Sequence, residues 1–258
     1  MMETFSLYPV EWGLSVGALA VYGVLTFLAF TVASTLGIGG PLILLPALML
    51  TFSPAESVAM LVPAMLVNNM AKILLFGKYI RWRPAALMAA TALPAALAGA
   101  MLTGRVPSKL IQLAVAVMIL LALASRYVFR HSVEVRAGGL ILWGIPTGFI
   151  SGLSGTAGPP MAIAMKGYGL SLEPFVATTA CMQACLQLIR LPAYCSQQLL
   201  GEHLWSLAIL LALCTLPAVF AGRQLLRKMK PQRFRLSLDL LLLLVGISLF
   251  IKALGIQL

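Results

Sequence analysis

Leu36-Gly37-Ile38-Gly39-Gly40-Pro41 interrupts one long apolar run, and 118 positions later Ser154-Gly155-Thr156-Ala157-Gly158-Pro159 interrupts another. Glycine admits positive φ, and proline suits a first helical position, where no N–H is needed. Each stretch therefore ends one helix and begins the next. The apolar runs that follow, 41–52 and 159–170, are short. As helices rising 1.5 Å per residue they reach about 18 Å, well under the ~30 Å of a hydrocarbon core. Each is a half-helix ending inside a membrane or one arm of a re-entrant hairpin, and the sequence leaves both readings open.

The rest of the 258-residue chain has the composition of a lipid-embedded protein. Hydrophobic residues make up 61% and charged residues 10%, whereas soluble domains average about 25% charged. Apolar runs divide it into ten segments: 13–36, 41–52, 55–76, 84–103, 109–125, 138–154, 159–170, 174–196, 204–222 and 236–254. The expected fold is all-α: one polytopic transmembrane domain over residues 1–258. The net charge of +11 would suggest a nucleic-acid partner in a soluble protein, but the basic residues lie mostly in short connections between segments. That placement sets membrane topology, so the bilayer is the partner and nucleic acid is not.

The two breaks belong to a longer internal repeat. Pro54 precedes Pro174 by 120 positions, Leu93-Pro94-Ala95 precedes Leu216-Pro217-Ala218 by 123, and Pro107 precedes Pro231 by 124. Ordered landmarks with slowly growing offsets indicate duplication with small loop insertions. Repeat 1 covers about 13–128 and repeat 2 about 136–254. Five segments per copy is an odd number, so the second copy enters the membrane from the opposite face. Inverted repeats with interrupted segments at matching positions are the pattern of secondary transporters, whose solute site lies where the halves meet.

Basic residues concentrate around 78–83, 126–136, Lys166 and 223–235, which marks these connections as cytoplasmic and puts both termini outside. No basic residue precedes the first segment, only Glu3 and Glu11, so a cleaved leader is not expected.

Polar side chains within apolar segments are costly, on the order of 3 kcal/mol for a central cation on insertion scales, and should face the protein interior. Asn68, Asn69 and Lys72 lie in the third segment. In its repeat counterpart, the eighth, Thr179, Gln183, Gln187 and Arg190 form one stripe at helical spacing. Lys72, about a turn from Gly77, also has the simpler option of reaching to the interface. The helix starts at the breaks, through Gly37, Gly39, Gly40 and Pro41 and through Gly155, Thr156, Gly158 and Pro159, would add N–H groups and positive dipole ends. Together these residues make a candidate site for a small anionic solute.

Other features carry less. Gly144, Gly148 and Gly152 form a small-residue face for close helix packing. Asp239 is expected to pair with Arg233 or Arg235, and no buried carboxylate suits a proton relay. Cys181, Cys185, Cys195 and Cys214 show no CxxC spacing and read as free core thiols. Gly152-Leu153-Ser154-Gly155 matches the GxSG string of intramembrane serine proteases, but His131 and His203 lie in loops, so the serine lacks a base. No zinc, P-loop or dinucleotide motif occurs; neither a cofactor nor an enzymatic activity is expected.

The paired glycine-rich breaks, the short segments after them and the repeated Leu-Pro-Ala stretches resemble the sulfite exporter TauE/SafE family over about residues 13–254. The resemblance implies a permease of a bacterial cytoplasmic membrane that exports sulfite, a sulfonate or a related organosulfur anion. Ala157, where the first break has Gly39, departs from the duplicated pattern. Two other readings fit ten segments: a drug/metabolite-type exporter of another small solute, and a non-transporting scaffold. Small-residue outer faces would permit a homodimer.

Overall fold

A computed structural model describes residues 16–36, 40–127 and 134–226, with isolated positions near 243–250. The described residues form nine α-helices: α1 Val16–Leu36, α2 Pro41–Leu48, α3 Pro54–Phe76, α4 Trp82–Thr103, α5 Ser108–Tyr127, α6 Ala137–Ser154, α7 Gly158–Gly167, α8 Leu172–Ser196 and α9 Glu202–Leu226. They coincide with the first nine expected segments. The tenth, 236–254, with Asp239, lies largely outside the described residues. Among the described residues five helices are long and apolar enough to cross a membrane: the one running on through the 3₁₀ turn to Tyr79, then α4, α6, α8 and the 204–221 stretch of α9. The described residues are thus all-helical, and the chain is a multi-pass membrane protein.

Local chemistry sets the helix ends. Ser53 caps α3 with a reciprocal box: Glu56 N–H donates to Ser53 Oγ at 3.3 Å, and Ser53 N–H donates to a Glu56 carboxylate oxygen at 3.0 Å. Pro41 opens α2, and Pro159 lies in the first turn of α7. Gly155 ends α6 in the left-handed region at φ 74°. With 8 and 10 residues, α2 and α7 are shorter than the runs 41–52 and 159–170 suggested. At 1.5 Å per residue they reach about 12 and 15 Å, so neither crosses a bilayer alone.

The two short helices fold back along their predecessors. Tyr22 Oη and Thr51 Oγ1 share a hydrogen bond of 2.5 Å, joining the first turns of α1 to the exit of α2. Val135 N–H donates to Gly167 O at 3.0 Å, joining the entry of α6 to the exit of α7. Two further bonds set the long helices in register. Arg81 N–H, before α4, donates to Thr178 Oγ1 near the start of α8 at 2.9 Å; Gly104 N–H, after α4, donates to Gln197 Oε1 after α8 at 2.9 Å.

Packing follows the small residues. Helix α6 runs parallel to α4 with Gly144, Gly148 and Gly152 against Met88, Ala92 and Ala96. A Cβ on Gly152 would stand 2.5 Å from Ala96 O, and one on Gly144 would stand 2.6 Å from Met88 O. The backbones approach closely because these side chains are absent, the usual means of helix association in lipid. Helix α1 packs on α9, and α3 lies between α8 and α9. One apolar core gathers α1, α2, α3, α5 and α9 around Phe30, Leu45 and Met60; the other gathers α4, α6, α7 and α8 around Met88, Met161 and Leu186. The four cysteines are free, but none is a core thiol: Cys195 is exposed and the others are half-buried.

Candidate functional site

The end of α6 carries the chemistry that the fold must resolve. A helix leaves its last four carbonyls without intrahelical partners, and lipid supplies no water to satisfy them. Gly155 stops α6 inside the protein, so the carbonyls of Ser151 and Gly152 need other donors. Arg190 Nη1 donates to Ser151 O at 2.7 Å. Thr103 Oγ1 donates to Gly152 O at 3.0 Å, and Tyr194 Oη donates to the same oxygen. Helix α8 thus caps α6 with Arg190 and, one turn on, Tyr194. A cation at a helix C-terminus also meets the negative end of its dipole.

This capping uses part of Arg190. Its Nε donates to Leu186 O in its own helix at 3.3 Å, while Nη2 has no hydrogen-bond partner among the described residues. One turn earlier, Gln187 is fully buried with neither Nε2 nor Oε1 partnered. Buried side-chain groups in proteins are nearly always paired, so three orphan atoms on one helix face within a turn are exceptional. Further unpartnered buried atoms are Asn68 Oδ1 and Asn69 Nδ2 on α3, Thr31 Oγ1 on α1 and Thr147 Oγ1 on α6. The four described carboxylates, Glu56, Glu134, Glu173 and Glu202, lie in the loop before α6 or in first turns of helices. The buried guanidinium bonds to the carbonyls of Leu186 and Ser151, and none of these carboxylates is among its partners.

The other stripe residues behave differently. Thr179 bonds back to Phe175 O at 2.7 Å, Gln183 is half-buried, and Lys72 on α3 is half-buried. Gly37 and Gly39 lie outside the described residues. Gly40 and Pro41 are buried, and a Cβ on Gly40 would stand 2.8 Å from the Phe30 ring. Gly155 packs on Val58, only four residues into α3, rather than against the middle of that helix.

The helix starts offer fewer donors than their sequence suggests. At α7, Pro159 and Pro160 have no N–H, Gly158 N–H points to Thr156 Oγ1 at 3.5 Å, and Met161 N–H donates to Ala157 O. At α2, Pro41 has none, and the N–H groups of Ile43 and Leu44 both donate to Gly40 O. What remains there is mainly the positive dipole end, so Gln187 and Arg190 are the stronger donors.

Sequence reasoning missed Tyr194, although it continues the Thr179, Gln183, Gln187, Arg190 stripe by one turn. Its aromatic ring reads as apolar, which hid its hydroxyl. The GxSG serine is engaged locally, with Ser154 Oγ donating to Thr156 O at 3.2 Å. Among the described residues no cluster of His, Cys, Asp or Glu has the makings of a metal site.

Long apolar helices, broken partners that fold back, and unpaired polar atoms sealed between them define a polytopic membrane protein. The family model for the sulfite exporter TauE/SafE matches residues 22–249, and the chain belongs to that family of membrane permeases. No curated protein and no solved structure matches it significantly.

Proposed function

We propose that the protein is a secondary transporter that exports a small sulfur oxyanion, sulfite or a sulfonate, by alternating access between two inverted halves. The observation that carries this reading is the buried Arg190 guanidinium, with an unpartnered donor one turn from the unpaired amide of Gln187 and no described carboxylate bonded to it. A buried cation without a counter-ion is costly, and an anion that docks there relieves the cost. Asn68, Asn69, Lys72, Thr179 and Gln183 line the same pair of facing helices, α3 and α8, as further polar contacts along the route. The helix starts at Gly40–Pro41 and Gly158–Pro159 contribute positive dipole ends.

The inverted arrangement draws support from the register of the helices. The α1/α2 hairpin closes beside the start of α3, the α6/α7 hairpin beside the start of α8, and Arg81 ties the exit of α3 to the entry of α8. Since α3 is a membrane-length helix, the two hairpins open toward opposite faces. The packing partners also exchange as a repeat requires: α1 on α9 answers α6 on α4, and α3 on α9 answers α8 on α4. By this reading both termini lie outside a bacterial cytoplasmic membrane.

Flux of radiolabelled sulfite from proteoliposomes holding the full-length chain tests the proposal. Efflux that other small sulfur anions compete away, and that Arg190→Ala abolishes in protein still folded by gel filtration, is the expected result. Competition by apolar or cationic solutes instead would identify a drug/metabolite-type exporter, and absence of any flux would identify a scaffold.

A further inference from the structure

We propose that the anion held by Gln187 and Arg190 is a monovalent oxyanion that still bears a proton, a hydrogensulfite-type ion rather than the sulfite dianion, so that the proton crosses on the substrate. This rests on the anion site proposed above and specifies which ionic form that site takes.

The three unpartnered atoms are of two kinds. Arg190 Nη2 and Gln187 Nε2 are donors and need acceptor oxygens; Gln187 Oε1 is an acceptor and needs a donor. Turning the amide over exchanges its two ends but still leaves one donor and one acceptor. A fully deprotonated oxyanion presents acceptors only, so it would set lone pairs against Gln187 Oε1 and leave that oxygen buried and unmet. A protonated oxyanion satisfies both kinds at once.

Charge points the same way, since one guanidinium balances one negative charge. On α8 itself the titratable neighbours are Tyr194, whose hydroxyl is engaged by Gly152 O, the thiols of Cys181, Cys185 and Cys195, and Glu173 in the first turn. Across from it, α3 has Glu56 in its first turn and Lys72 on the turn before its end, followed by Lys78, Tyr79 and Arg81 in the connection to α4. Helix α4 has Arg83 in its first turn, α7 has Lys166 in its last, and α6 has no titratable side chain. Among the described residues no second cation shares the turn of Arg190. The described carboxylates likewise stand at helix starts or in a loop, so none relays a proton through the interior. A substrate that carries its own proton moves one proton and one negative charge per cycle, with no bond made or broken in the protein.

The test is equilibrium binding to the purified full-length protein across the pH range in which hydrogensulfite loses its proton. Radiolabelled sulfite is one probe; methanesulfonate, a monoanion without an exchangeable proton, is the other. Sulfite affinity is expected to fall about tenfold per pH unit above that transition while methanesulfonate affinity stays level. Gln187→Leu is expected to abolish the advantage of sulfite, about tenfold for one buried hydrogen bond, leaving it no tighter than methanesulfonate. Sulfite affinity that rises with pH, or that follows methanesulfonate in the wild-type protein, would overturn the proposal, and this profile decides even if the variant fails to fold. Binding of neither anion at any pH would instead remove the anion site itself.

Discussion

Arg190 Nη1 stands 2.7 Å from the carbonyl oxygen of Ser151, joining the interior of α8 to the last turn of α6. One side chain thereby serves two ends: it caps a helix that stops inside the protein, and it keeps a second nitrogen unpartnered one turn from Gln187. Removing it should therefore harm both stability and binding. Arg190→Ala is expected to cost about 2 kcal/mol, because the Ser151 carbonyl is left buried and unpaired. Arg190→Lys keeps the charge but has no planar fork to bridge carbonyl and anion, so it should restore stability better than anion affinity. Thermal unfolding in detergent, read beside sulfite binding, separates the two effects; a variant with an unchanged melting midpoint would contradict the capping role.

The Gly152 carbonyl has two donors, Tyr194 Oη and Thr103 Oγ1. Tyr194→Phe and Thr103→Val should each cost about 1 kcal/mol, since the other hydroxyl still serves the oxygen. The double variant is expected to cost more than their sum, because only then is the carbonyl orphaned. Additive costs in a double-mutant cycle would show that the two hydroxyls act independently.

Close packing of α4 against α6 gives a sharper contrast. Gly152→Val places side-chain atoms onto the Ala96 and Ala100 backbone and should destabilise by about 3 kcal/mol or prevent folding. Gly138→Ala, on the same helix but with nothing within 4 Å of its Cβ, should be neutral or stabilise by up to about 1 kcal/mol. Expression level and melting midpoint of the pair check this; equal behaviour would mean that α6 does not lie where the packing puts it.

The box at the start of α3 is a local device, independent of any solute. Ser53→Ala is expected to lower stability by about 1 kcal/mol, without altering the pH profile of anion binding. A changed profile would tie this helix end to the site.

The sequence was most readable where chemistry acts locally. Breaks at Gly40–Pro41 and Gly155–Pro159 were legible because glycine and proline act through their own backbone, and α2 and α7 begin there. Boundaries slipped where polar or interfacial residues join a helix: α4 starts at Trp82 and α9 at Glu202, each two positions ahead of its apolar run. Pro174 similarly sits in the first turn of α8, after Leu172 and Glu173, rather than opening the helix. Arg190 stood out as a buried cation, yet its attachment to Ser151, 39 positions away, depends on tertiary packing that no spacing reveals. Prolines 159 and 160 did hold a readable warning, for two residues without N–H cannot hold an anion through their backbone.

The opposed orientation of the halves is tested most directly by single cysteines placed at Ser53 and Gly169, both exposed, in a cysteine-free background. With intact cells and a membrane-impermeant maleimide, position 53 should label from outside, and position 169 only after the membrane is opened. Labelling of both from the same face would contradict the inverted arrangement and the alternating-access mechanism with it.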